Sequence, residues 1–147
     1  LSSEVQRNAQ ATLLASFVGD ILAADPTANI AVVGDLNDFQ FSPPLQKLKA
    51  AGLTALIETL PPAERYSYVF DGNSQALDHI MVSRRLYSRF IGIDVHNEAL
   101  GDELVGYARH MQIASSYHAP IVAEFADFDT RAAEREDGIP CSAATKK

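Results

Sequence analysis

Three short segments set acids, an amide and imidazoles beside apolar strands: GDLND (34–38), LDHI (77–80) and SYHAP (116–120). A carboxylate, an amide and an imidazole brought to one rim suit metal-assisted phosphoester hydrolysis. In that chemistry Asp35 holds or deprotonates a water, and Asn37 donates a hydrogen bond to a phosphate oxygen. His118, oriented by Asp78, faces the phosphate. Each residue also has a plainer use. Asp35, Asn37 and Asp38 suit a turn, because short polar side chains bond their own backbone two residues on. A single histidine such as His118 is more often structural. Asp78 resists that treatment, since a carboxylate inside an apolar strand needs a partner to offset desolvation. Its neighbour His79 points to the opposite face of the strand and is expected to be structural or to sit at a substrate edge. His96 and His110 read as surface residues. The four histidines show no zinc-site spacing, and neither a phosphate-binding G-x-x-x-x-G-K-[ST] loop nor a G-x-S-x-G elbow occurs.

Bulk properties narrow the setting. The chain has 147 residues, 47% hydrophobic and 21% charged, which suits one globular domain. Its formal net charge of -7 denies it a basic footprint for gripping nucleic acid through phosphates alone. A phosphate-handling protein of this charge is expected to recruit a cation. One cysteine, Cys141, excludes an intrachain disulfide. No apolar run approaches the ~18–20 residues that span a bilayer, so no membrane partner is expected. The chain opens on Leu1 and reads as helix almost at once, from which sequence upstream is expected.

The elements that must position these residues follow from periodicity. Ser3 and Gln6 fit a capping box, and Val5, Ala9, Leu13, Phe17 and Ile21 recur at helical spacing, predicting an amphipathic helix over 3–24 with that stripe inward. Ile30–Val33 predicts a buried strand ending at Gly34. Ser42 with Pro43 starts a second helix that Gly52 closes, with Leu45, Leu48 and Ala51 facing in. Residues 53–60 predict a short helical turn. YSYVF (66–70) and ALDHIMVS (76–83) predict an antiparallel hairpin turning through DGNSQ, with Tyr66 and Tyr68 packing across strands. Strands are predicted at 90–96 and 119–125, with a loop and a helical turn over 97–116. Residues 128–147 predict a polar, disordered tail. The expected architecture is α/β (α+β): one mixed, mostly antiparallel sheet with helices on one face. Because strands such as 77–82 are apolar on both faces, a second layer is expected on the other side.

In this order the three segments resemble the C-terminal half of the endonuclease/exonuclease/phosphatase superfamily, the DNase I-like fold. Gly34–Asn37 resembles its G-D-[FL]-N, Leu77–Ile80 its [LI]-D-[YH]-I, and Ser116–Pro120 its S-D-H-x-P. The flanks 25–53 and 64–83 resemble large extracellular nucleases of bacteria, and the likeness covers about residues 6–126. The resemblance implies a four-layer α/β/β/α sandwich, of which residues 1–127 are the C-terminal portion. It implies that Asp35 positions or deprotonates the attacking water, that Asn37 holds the phosphate, and that Asp78 partners a catalytic His118. It implies Mg²⁺, or Mn²⁺ or Ca²⁺, with Asp35 as a metal residue. Tyr117 stands where the family has a metal-binding aspartate, and a neutral hydroxyl is a poor ligand for a hard cation.

The resulting expectation is a secreted, metal-dependent phosphodiesterase acting on DNA or RNA. Its partners are a nucleic acid or other phosphoester substrate and the missing N-terminal half of the domain. The 147-residue chain is expected to be inactive alone. Two alternatives stay open: a non-catalytic remnant or binding module of the same fold, and a phosphatase of the superfamily acting on another phosphoester.

Overall fold

A computed structural model of the chain describes residues 2–108 and 116–127. The predicted tail (128–147), Cys141 and His110 lie outside the described residues. The elements run α1 (Ser2–Ala24), β1 (Ala31–Asp35), α2 (Pro43–Ala50), β2 (Leu53–Ala55), β3 (Tyr68–Phe70), β4 (Asn73–Gln75), β5 (Asp78–Ser83), α3 (Arg84–Tyr87), β6 (Phe90–Val95), α4 (Glu103–Ala108) and β7 (Ile121–Phe125). Two 3₁₀ turns, Leu56–Thr59 and Pro62–Glu64, join β2 to β3. The α+β class is as expected. Among the described residues every strand pairing is antiparallel, and hydrogen bonding divides the strands into three ladders, β1-β5-β2, β3-β4 and β6-β7. No described helix is long and apolar enough to cross a membrane.

β5 is the central strand, and its two faces differ. Met81 and His79 point toward the helices and are buried, while Asp78 and Ile80 point the other way and are half-buried. Met81 packs with Val18 of α1, Leu45 and Leu48 of α2, and Leu53 and Ala55 of β2. This cluster is the core beneath the site.

The inward face of α1 differs from the predicted stripe. Val18 is buried and Leu14, Ala15 and Leu22 pack on the core, whereas Val5, Leu13 and Phe17 are 72%, 73% and 62% exposed. Apolar residues come in adjacent pairs (13/14, 17/18, 21/22), so two stripes exist and only packing chooses between them. The choice is registered at Gly52, whose φ of +100° suits glycine and whose missing Cβ would lie 3.2 Å from Leu22 Cδ1. α1 begins at Ser2, which puts Ser3 inside the first turn rather than at its cap.

β1 is not buried on both sides. Val32 packs on the core, but Val33 is 65% exposed on the face away from the helices. That open face, carrying Val33, Ile80 and Ile121 around a shallow cavity, is where the sequence predicted a second layer. The predicted hairpin is also redrawn. Asp71 and Gly72 both have positive φ (49° and 71°), so the turn is two residues long, as Asp-Gly favours. Tyr68–Phe70 therefore pairs with Asn73–Gln75. β5 is left free to pair with β1 and β2 instead. Residues 53–60 open with β2 before their helical turn, because Leu53–Ala55 finds β5 as a partner.

Candidate functional site

β1 and β5 pair so that Asp35 stands directly opposite Asp78. Like charges in that position repel, so the pairing is costly unless something positive or a proton donor lies between or beside them. His118 provides part of the answer: its Nδ1 lies 2.7 Å from Asp78 Oδ2. Carboxylate oxygens of Asp35 and Asp78 and a ring nitrogen of His118 lie within 4.8 Å of one another. Two carboxylates and an imidazole so close can hold a metal ion, the carboxylate oxygens suiting a hard divalent cation.

The backbone after β1 shapes the Asp35 side. Asn37 is left-handed (φ +50°), a conformation that asparagine tolerates. Its N–H donates to Asp35 Oδ1 at 2.8 Å and its Nδ2 donates to Asp35 Oδ2 at 3.1 Å. The turn reading of these residues is thus correct in geometry, and the turn itself braces the carboxylate. On the other side, His118 follows Ser116, whose Oγ accepts the His118 N–H at 2.9 Å. The His118 ring stacks on Tyr68, with centroids 4.8 Å apart. The Tyr68 hydroxyl in turn donates to Glu103 at the start of α4. Asp102, next to Glu103, accepts N–H bonds from Gly72 (2.6 Å) and Leu104 (2.9 Å), so it ties the β3–β4 turn to α4. Those bonds hold its carboxyl below the usual range, the Gly72 N–H foremost.

No family model matches the chain, and no curated protein matches it. Solved structures do. A variant of the 3′ phosphatase NExo from Neisseria, bound to product DNA hairpin, aligns with a TM-score of 0.56 at 18% identity, over 77% of this chain and 50% of that one. The 3′–5′ exonuclease NExo from Neisseria meningitidis aligns with a TM-score of 0.53 at 21% identity, over 76% and 50%. The fold is part of a DNase I-like domain. The chain spans about half the length of the structures it matches, each covered over 50%.

In this DNase I-like half, Asp35, Asn37, Asp78 and His118 are brought together at the end of the β1–β5 ladder. Tyr117 is half-buried beside His118. His96 is exposed, 3.8 Å from Asp94. Three further residues escaped the sequence. Asp38, expected to be an ordinary turn residue, is only 8% exposed. Its carboxylate takes the Arg7 guanidinium at 2.8 Å, and its carbonyl oxygen lies 2.9 Å from His79 Nε2. Arg7 lies 31 positions away, so no local pattern could announce it. Ser67 is fully buried and touches Asp78. Its only local signal is a small polar residue interrupting an aromatic run, YSYVF.

His79 sits under the site and imposes a pH dependence. Burial holds its pKa below the usual histidine value, against the opposing pull of the Asp38 carbonyl and the Asp78 charge. Burial thus favours the neutral imidazole, and because a carbonyl oxygen can only accept, Nε2 is the nitrogen that donates its N–H to Asp38. The unfolded chain takes a proton at a pKa of about 6.5 and the folded chain resists it. Stability from this group is complete above that value and falls as pH drops through it, by up to ~1.4 kcal/mol per pH unit. Urea unfolding at about pH 7.5 and 5.5 should show the loss, and His79→Gln should reduce its slope. Equal slopes in both proteins would exclude His79 as the source.

Proposed function

We propose that this chain is the phosphate-handling half of a metal-dependent phosphodiesterase whose substrate is a nucleic acid. The carrying observation is the Asp35–Asp78 pair across β1 and β5 with His118 on Asp78. The Neisseria structures support phosphoester chemistry on this fold, since one is named a 3′ phosphatase bound to product DNA hairpin and the other a 3′–5′ exonuclease.

In this reading Asp35, braced by Asn37, accepts the proton of the attacking water. The Asn37 amide has a second N–H to offer a phosphate oxygen as its charge grows. Asp78 engages His118 at Nδ1, so Nε2 is the nitrogen left to face the phosphate. Asp35, with Asp78 beside it, would hold Mg²⁺ or Mn²⁺. The cation would supply Lewis-acid stabilisation of phosphate charge that the net charge of -7 cannot. Phe39 and Phe41, stacked at 5.2 Å and beginning two residues after Asn37, offer a flat exposed surface of the kind that unpaired bases stack on. A secreted setting belongs to the same proposal and rests on the likeness to bacterial extracellular nucleases.

The open face with Val33, Ile80 and Ile121 awaits, on this reading, the rest of the sandwich. The isolated chain should accordingly hydrolyse little and self-associate through that face. The test is hydrolysis of plasmid, RNA and oligonucleotide 3′ ends with Mg²⁺ or Mn²⁺, by the chain alone and within its complete domain. Activity is expected only in the latter, abolished by chelator and by Asp35→Ala. Undiminished hydrolysis in Asp35→Ala would remove that residue from the site.

A second reading, a binding module that has kept the scaffold, is favoured by Tyr117. Tyr117→Asp separates the two. Tighter metal binding and faster hydrolysis support an enzyme limited by its metal site, and no hydrolysis from either form supports the module. Hydrolysis of inositol phosphates in preference to nucleic acid would instead move the substrate to another phosphoester.

A further inference from the structure

Aromatic rings adjoin the candidate site on two separate elements. Phe39 and Phe41 follow Asn37 in the chain and stack on each other at 5.2 Å, with planes 7° apart. The Cα of Phe39 lies within about 7 Å of that of Asn37, the reach of two residues. The second group extends from His118. Tyr68 stacks on the imidazole with centroids 4.8 Å apart, and Phe70 stacks on Tyr68 at 6.4 Å with planes 12° apart. A backbone bridge between Tyr68 and His118 fixes this row beside the site. Phe41 and Phe70 are 68% and 40% exposed, so each presents ring surface to solvent. Among the described residues, most cations already have partners. Arg7 is paired with Asp38 and Lys49 with Glu58. Lys47 donates to the Asn8 carbonyl and the Thr12 hydroxyl, and Arg65 donates to the carbonyls of Glu58 and Leu60. Arg84 and Arg85 follow Ser83, at the end of β5 remote from Asp78.

We propose that the site takes its nucleic acid as an unpaired strand, held by base stacking on Phe41 and Phe70 rather than by phosphate contacts. This deepens the nucleic-acid reading above and rests on it. In a duplex the base faces are covered by one another and the outer surface is phosphate, which a chain of net charge -7 repels. An unpaired strand instead exposes its base faces, and stacking on an aromatic ring is tolerant of sequence because every base has a π-face. Phe41 takes a base beside the Asn37 end of the site, and Phe70 takes a base beyond His118. The phosphate between them is left to Asp35, Asn37 and His118. Binding carried this way releases few counterions, so it depends little on salt.

The probe is a short single strand of DNA carrying a fluorescent adenine analogue that is quenched when it stacks, with its blunt duplex as the comparison. Each is titrated into the 147-residue chain with chelator present, so that no hydrolysis is needed. Wild type should quench the single strand and bind it more tightly than the duplex. Phe41→Ala and Phe70→Ala should each weaken single-strand binding about 5- to 150-fold and relieve the quenching. Phe41→Trp should keep both, and Phe41→Leu, apolar but without a ring, should behave as Phe41→Ala. Between about 50 and 200 mM salt the affinity should fall less than about tenfold, as for two or fewer phosphate contacts. Circular dichroism checks the fold, and where an alanine variant does not fold, Leu and Trp at the same position carry the comparison. No single-strand binding, a duplex bound as tightly, unchanged binding in both alanine variants, or a steeper salt dependence overturns the proposal. So does full retention in Phe41→Leu, which marks plain apolar contact. Ring-dependent quenching in a complete domain that hydrolyses nothing keeps the stacking and removes the hydrolytic reading. Equal hydrolysis of duplex and single strand, unchanged in the ring variants, removes the stacking and keeps the hydrolysis.

Discussion

On the proposed function, His118→Ala is expected to lower kcat of the complete domain about 10²–10⁴-fold, the range that a positioned acid–base group contributes. The reason is geometric. His118 is the imidazole whose Nδ1 is engaged by Asp78 at 2.7 Å and whose ring is stacked on Tyr68, so its remaining nitrogen is oriented at little further entropic cost. Asp78→Asn should lose a similar factor, because an amide can present an N–H to Nδ1 and favour the wrong tautomer. Since the pair acts as one unit, the double variant should be little worse than the poorer single one. Chelator should abolish wild-type activity while leaving the fold intact. Steady-state kinetics on a short oligonucleotide, with circular dichroism as the folding control, measures all of this. Full activity in folded His118→Ala, or multiplicative losses in the double variant, would dismantle the assignment.

Met81→Ala destabilises the chain by about 2–5 kcal/mol, the cost of removing a large buried side chain and leaving a cavity. Met81 is 0% exposed and joins α1, α2 and β2 through Val18, Leu45, Leu48, Leu53 and Ala55. It faces Val32 on β1 and Ala55 on β2, in the strand that begins at Asp78. Domain stabilities are about 5–15 kcal/mol, so this one change removes a large share. Leu13→Ala is the counterpart. The simplest helical stripe puts Leu13 inside, yet it is 73% exposed, and its truncation should stay within about 0.5 kcal/mol. Urea midpoints at constant m-value read both. A large loss at Leu13 with a small one at Met81 would mean that α1 docks by its other face.

The expected and observed elements agree where the signal is local. α2 starts at Pro43 after Ser42 and closes before Gly52, as proline and glycine preferences require. β6 and β7 fall within the apolar runs that predicted them. Disagreements arise where a choice lay between two locally acceptable partners. The β3–β4 turn tightened to Asp71–Gly72, and the rest of the segment expected to be the turn became a strand. α1 chose between two apolar stripes according to which one met Leu45, Leu48 and Met81.

The candidate site divides the same way. Asp35, Asn37, Asp78 and His118 stand out in the sequence because polar groups interrupt or end apolar strands, and desolvation makes such residues conspicuous. Their ordered motifs also carry the likeness to the DNase I-like fold. The sequence by itself determined the residue types available for the proposed phosphate chemistry, the elements most of them sit on, and the acidity from which a cation is expected. Only the tertiary structure decided that Asp35 faces Asp78 across a ladder, that Asp38 is buried on Arg7, and that Ser67 aims its proton at the carboxylate oxygen His118 uses. Strand register and side-chain hydrogen bonds over 31 to 40 positions depend on how separate segments pack together. Local propensity and spacing carry no record of that.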